Sequence, residues 1–127
     1  MISWHIEVND KTSKQYYFPD FQYQELLLPY FGTGKMEIDE YGRTEYQGEE
    51  LERLVTRLKH SYDYFEAKTI QWEIVETEFI GEIKNDSSPV SIRKFFERQV
   101  VLQILENIIQ MGTDARSANG MLVFLGD

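Results

Sequence analysis

The sequence has no cysteine and only two histidines, His5 and His60, in 127 residues. Without cysteine there is no thiol nucleophile, no disulfide and no Cys-ligated zinc or iron–sulfur site. The two imidazoles fall on different predicted elements, and neither has a cluster of ligand-type residues beside it, so neither marks a metal site. His5 takes the outward phase of a predicted strand, and His60 the polar side of a predicted helix. Long apolar runs are also missing. The longest, VVLQILENIIQM, is broken by Gln103, Glu106, Asn107 and Gln110, too short and too polar to span a bilayer. The first twenty residues show no basic start, apolar stretch or small-residue cleavage site. The expectation is a cytoplasmic protein with no cofactor, no metal and no membrane partner.

Basic residues are scarce. Thirteen Lys and Arg stand against 22 Asp and Glu, for a net charge of −9. Such a field disfavours nucleic-acid phosphates and steers basic partners toward the chain. The charge is uneven. Residues 37–52 hold seven acids and one base, and residues 63–86 hold seven acids and two bases, whereas Arg53, Arg57 and Lys59 make 53–60 basic.

What is present is a regular pattern of elements. The length fits one domain, 1–127, able to bury roughly two-thirds of its unfolded surface. ISWHIEV alternates Ile2, Trp4, Ile6 and Val8 against Ser3, His5 and Glu7, the period of a half-buried strand. NDKTS reads as a turn and KQYYF as a partner strand. FQYQELLLPYFGTG is either a short helical turn or an aromatic loop. KMEID, with Met36 and Ile38 inward, and RTEYQ read as a hairpin closed at EYG, where Gly42 would take positive φ. Glu49, Glu50 and Glu52 then open a helix, where carboxylates suit the dipole. Leu51, Leu54, Val55, Leu58, Tyr62 and Phe65 follow at helical spacing.

TIQWEIVETEF reads as a strand with Ile70, Trp72 and Ile74 inward and a bulge near Thr77. FIGEI either extends it or pairs back on it, and KNDSSP is a loop. Ser88–Pro89 has the form of an N-cap and N1 proline, opening a long helix to about Met111 that Gly112 ends. That helix is apolar on most sides, which places it in the core or at a homodimer seam through residues 100–111. Asn119–Gly120 is a turn before a last strand, MLVFL. The fold class is α+β: an antiparallel sheet of about five to six strands packed with two main helices.

No local pattern fixes a chemistry. Gly32–Thr33–Gly34 lacks the third glycine and the Lys-Ser/Thr of a phosphate loop. Glu76 and Glu78, on one strand face, would stand roughly 7 Å apart, near the spacing of glycosidase carboxyls; an exposed strand face is the better account of them. Tyrosines interleave with the acids, and exposed Tyr gives interface area at low entropy cost. The candidate partner-binding residues are therefore Glu37, Asp39, Glu40, Tyr41, Glu45, Tyr46, Glu49, Glu50, Glu73, Glu76 and Glu78.

In size, charge and element order the chain resembles the small immunity proteins encoded beside bacterial polymorphic toxins, including contact-dependent inhibition systems. The resemblance rests on KMEIDEYGRTEYQ leading into GEELERLVTRL, and on SIRKFFERQVVLQILENII before MLVFLGD. It implies a non-enzymatic inhibitor that neutralises a cognate toxin, often a basic nuclease, by covering its active site. Other readings are a small-molecule-binding domain with a pocket lined by YYFPDFQYQELLLPYFG, a homo-oligomeric structural protein, and a carboxylate-based hydrolase.

Overall fold

The computed structural model describes residues 1–32, 36–79 and 89–127, with only the backbone described at 75–79 and 89–92. The fold is α+β, a five-stranded antiparallel sheet with helices and a separate two-stranded ribbon. Strand β1 (Ser3–Val8) turns into β2 (Lys11–Thr12) through Asn9 and Asp10, both at positive φ, 49° and 64°. Two left-handed residues are what a tight hairpin needs, and Asn and Asp tolerate them. The chain returns as β3 (Tyr16–Tyr17), which pairs with Ser3 and Trp4. Helix α1 (Phe21–Leu27) begins at Asp20, whose carboxylate accepts the backbone N–H groups of Gln22 and Tyr23. A 3-10 turn at Leu28–Tyr30 follows, so the ambiguous aromatic segment is helical.

Strand β4 (Arg43–Tyr46) precedes α2 (Gly48–Glu66), which buries Leu51, Leu54, Leu58, Ser61 and Phe65 along one face. Strands β5 (Gln71–Phe79) and β6 (Pro89–Glu97) form the ribbon. Helix α3 (Arg98–Ser117) then leads to β7 (Met121–Leu125), which lies between β1 and β4. Helices α2 and α3 pack on each other and on β7, with α3 also against β1. The buried interior is built from Trp4, Tyr46, Leu122 and Phe124 of the sheet and the apolar faces of the two helices. Trp4 meets Phe18 edge-on at 5.0 Å, and Phe124 meets Phe31 at 5.3 Å and Tyr46 at 5.7 Å. The ribbon is tied on by stacking of Trp72 on Phe65 at 5.8 Å and on Phe96 at 5.6 Å.

Several expectations from the sequence are corrected. Residues 36–42 form no strand, and β4 pairs with β7 instead of folding back on KMEID. Gly42 is not at positive φ; its lack of a side chain matters because a Cβ there would come within 2.6 Å of an Asp39 carboxylate oxygen. Residues 89–97 are a strand, and the helix begins only at Arg98, after Phe96 has stacked on Trp72. The β5–β6 register runs unbroken from Gln71↔Glu97 to Phe79↔Pro89, so there is no bulge at Thr77. Ile70 lies before β5 and is exposed. Gly112 does not end α3: it sits mid-helix where a Cβ would meet Val55 Cγ2 at 2.7 Å, a site of close helix–helix approach. Asn107 is half-buried, and its side-chain oxygen accepts the Trp4 indole N–H at 2.8 Å. Most of FIGEI and KNDSSP, and Thr33–Gly34 of the glycine pair, lie outside the described residues.

Candidate functional site

The acidic stretch organises around a pinned loop. Ile38 is buried and Met36 half-buried, which leaves Glu37, Asp39 and Glu40 outside. The Asp39 N–H donates to Thr44 Oγ1 at 2.8 Å, and its carboxylate accepts the Tyr41 N–H at 2.9 Å. The carbonyls of Glu40 and Gly42 accept the N–H groups of Asp127 and Gly126 at 3.1 and 2.7 Å. A loop held at both shoulders presents its tip in one shape, and that tip is Tyr41, 82% exposed. Among the described residues no cation pairs with Glu37, Asp39 or Glu40. Behind the loop lies a groove of about 390 Å³ between it and α1, walled by Phe21, Leu28, Pro29, Ile38 and Glu37. Of the aromatic segment, Phe21 borders this groove and Tyr17 is exposed, whereas Phe18, Tyr23, Leu27 and Phe31 fill the core.

Tyr46 does not belong to this surface. It is 1% exposed, and its hydroxyl donates to the Met36 carbonyl at 2.5 Å. Burial pushes its phenol pKa up, the Glu50 carboxylate adds to this, and Arg57 opposes it. Glu50 is exposed at the start of α2. Glu49 faces Arg53 one turn on at 3.9 Å. Its neighbour Glu52 is engaged by Arg116 at 2.8 Å, and the same guanidinium donates to the Gly48 carbonyl.

Glu45 belongs to a different array, on the sheet face away from Trp4 and Phe124. There the Arg43 guanidinium donates to Glu45 Oε1 at 2.7 Å and to Glu7 Oε1 at 2.8 Å. The other Glu7 oxygen bonds His5 Nε2 at 2.7 Å. Since Arg43 lies on β4 and Glu7 on β1, the ion pair spans β7 between them. His5 and Val123, paired across the strands, are buried on this face although Val123 lies outside the main core. The outward phase of His5 holds, and the residue is nonetheless buried. Its Nδ1 is buried without a hydrogen-bond partner. With Glu7 ionised, the imidazole proton on Nε2 points at the carboxylate. Arg43 first, then His5, hold the Glu7 carboxyl down to about 2.

Glu73 is exposed on the ribbon and faces Arg93 at 3.5 Å. Glu76 and Glu78 pair in the backbone register with Ile92 and Val90; their side chains lie outside the described residues. The acids of 73–78 thus belong to a separate two-stranded sheet from β4. Among the described residues no three His, Asp or Glu side chains converge to hold a metal, and no helix is long and apolar enough to cross a membrane. Sequence reasoning missed the Arg43 array and the groove beside α1. The alternation of β1 and β4 does put Glu7, Arg43 and Glu45 on outward phases, which was the available signal for the array. No protein-family model matches this chain, and no curated protein or solved structure matches it.

Proposed function

We propose that this chain is an acidic protein-binding module that inhibits a basic partner, in the manner of the immunity proteins it resembles. The docking surface is the loop Glu37–Tyr41 with the groove beside it. The observation that carries this reading is a pinned loop on which three carboxylates without a cation partner among the described residues flank an exposed tyrosine. Carboxylates of this kind stand in for phosphates on a basic surface and speed encounter, while a buried aromatic anchor slows dissociation. The adjoining apolar walls, Phe21, Leu28 and Pro29, offer the area that charge alone lacks.

The test uses the product of the adjacent gene, purified as the candidate toxin. Reversing Glu37 and Glu40 to Lys moves the net charge from −9 to −5 and leaves in place the Asp39 carboxylate that accepts the Tyr41 N–H. Folding should be little changed, because exposed charges contribute little individually. Association should slow by at least about tenfold at low salt, and wild-type association should slow as salt rises. Tyr41→Ala should speed dissociation without altering the salt dependence. An unchanged association rate in the double reversal, or an adjacent product that does not bind, would sink the proposal.

A further inference from the structure

The second feature with chemical content is an arginine. The chain has six arginines and an excess of acids, so each arginine has ample choice of partner. Arg43, Arg53, Arg93 and Arg116 face carboxylates, and Arg98 donates to the carbonyls of Glu66 and Lys68. Among the described residues only the Arg57 guanidinium has neither ion pair nor hydrogen bond, while its backbone carbonyl accepts the Ser61 hydroxyl. Yet it is not a loose surface tail. Its guanidinium lies against Gly32, where a Cβ would stand 3.0 Å from Nη1. Gly32 has φ +139°, a conformation that also calls for glycine. The backbone therefore leaves a seat for the guanidinium and holds it on one side, while Arg57 stays exposed to solvent on the other.

Two surface cavities share this residue. One, of about 710 Å³, runs along α2 past Arg53, Thr56, Arg57 and His60. The other, of about 360 Å³, continues from Arg57 and His60 to Tyr30 and Tyr64. Residues 57, 60 and 64 lie on one helical face. The acids at the far end, Glu49 and Glu52, face Arg53 and Arg116, so Arg57 is left as the uncompensated charge. Tyr30 and Tyr64 lie ring against ring at 6.0 Å, and burial first, then Tyr64, pushes the Tyr30 phenol pKa up. That keeps a neutral hydroxyl beside the groove.

We infer that the outer face of α2 is an anion-binding site in which Arg57, with His60, takes the carboxylate or phosphate of a small organic ligand. The guanidinium fork matches two oxygens of either group, and His60 adds a donor one turn along. Tyr30 and Tyr64 give an aromatic end to the groove, which favours an anion carried on a ring. The site lies on α2, apart from the Glu37–Tyr41 loop, and does not depend on the inhibitory role proposed above.

The experiment is an NMR titration of the intact protein with inorganic phosphate, phenyl phosphate and benzoate. The expected result is saturable shifts of the Arg57 Nε–H and His60 ring signals, with a dissociation constant of about 1 mM or tighter for at least one ring-bearing anion. Comparison of phenyl phosphate with benzoate identifies the preferred head group, and comparison with inorganic phosphate identifies the contribution of the ring. Arg57→Ala should weaken binding by at least about tenfold, the scale of a lost charge-assisted pair. Arg57→Lys, which keeps the charge and the Gly32 contact region, should bind with intermediate affinity. Arg53→Ala should bind as wild type. Absence of saturation by all three anions, shifts spread evenly over the basic residues, or wild-type affinity in Arg57→Ala would each overturn the assignment.

Discussion

Replacing Glu7 tests how much the Arg43 array holds the sheet together. In the folded chain the Glu7 carboxyl is lowered from 4.5 to about 2, chiefly by its hydrogen bond with Arg43 and then by His5. Each tenfold change in proton affinity is worth about 1.4 kcal/mol, which sets an upper figure of about 3 kcal/mol. The Glu7 side chain is 24% exposed and Arg43 41%, so solvent screening reduces the contribution to roughly 1–2 kcal/mol. A carboxyl lowered on folding stabilises the native state fully above its unfolded value. That stabilisation is lost as pH falls from 4.5 toward about 2. Glu7→Gln removes the charge but keeps an oxygen that accepts the His5 N–H. Glu7→Leu removes both and leaves a buried donor unpaired, at a further cost of about 1–3 kcal/mol. The assay is urea denaturation of the three proteins in steps from about pH 6 to about pH 2, the interval over which this linkage acts. The gap between wild type and Glu7→Gln should close as pH falls, while the gap between the two variants should persist. A gap between wild type and Glu7→Gln that does not change with pH would show that the array does not couple proton binding to folding.

Two other perturbations address the core. Leu105 is fully buried on α3, and Leu105→Asp should cost several kcal/mol for an unpaired buried charge; thermal melting that matches wild type would contradict its placement. Gly112→Val inserts side-chain atoms where even a Cβ would stand 2.7 Å from Val55. Its expected cost is about 1–3 kcal/mol of overpacking, and Val55→Ala should recover part of that loss in the double mutant, read by denaturant midpoint.

Much of this architecture was legible because burial and period coincide. The spacing of Leu51, Leu54, Leu58 and Phe65 gave α2, and the alternation of β1 and MLVFL gave the two central strands. Pairing was less legible. Met36 and Ile38 alternate with acids as a strand would, but an extended loop pinned at Asp39 satisfies the same pattern. The true partner of β4 lies on β7, far along the chain, and local alternation carries no information on that choice. Residues 89–97 also fit a helical period at Ile92, Phe96 and Val100, with Pro89 at a position helices favour. Docking of Phe96 on Trp72 selects the strand. Tyr46 stands among acidic neighbours but has the opposite phase to Glu45, and the strict alternation of RTEY places it in the core, where it lies. No period could show that an arginine reaching over β7 accompanies the burial of His5.

The position of β7 has a consequence for how the chain acquires its shape. β7 lies between β1 and β4, yet it follows both in sequence and emerges from the ribosome after them. Until residues 121–125 are available, β1 and β4 each present an unpaired edge, and the apolar faces of α2 and α3 lack the strand that closes them. Contacts of such long sequence separation form slowly, and open strand edges template association with other chains. The nascent chain therefore passes through an interval in which its helices can form but its sheet cannot close. Over that interval its net negative charge keeps neighbouring copies apart by repulsion.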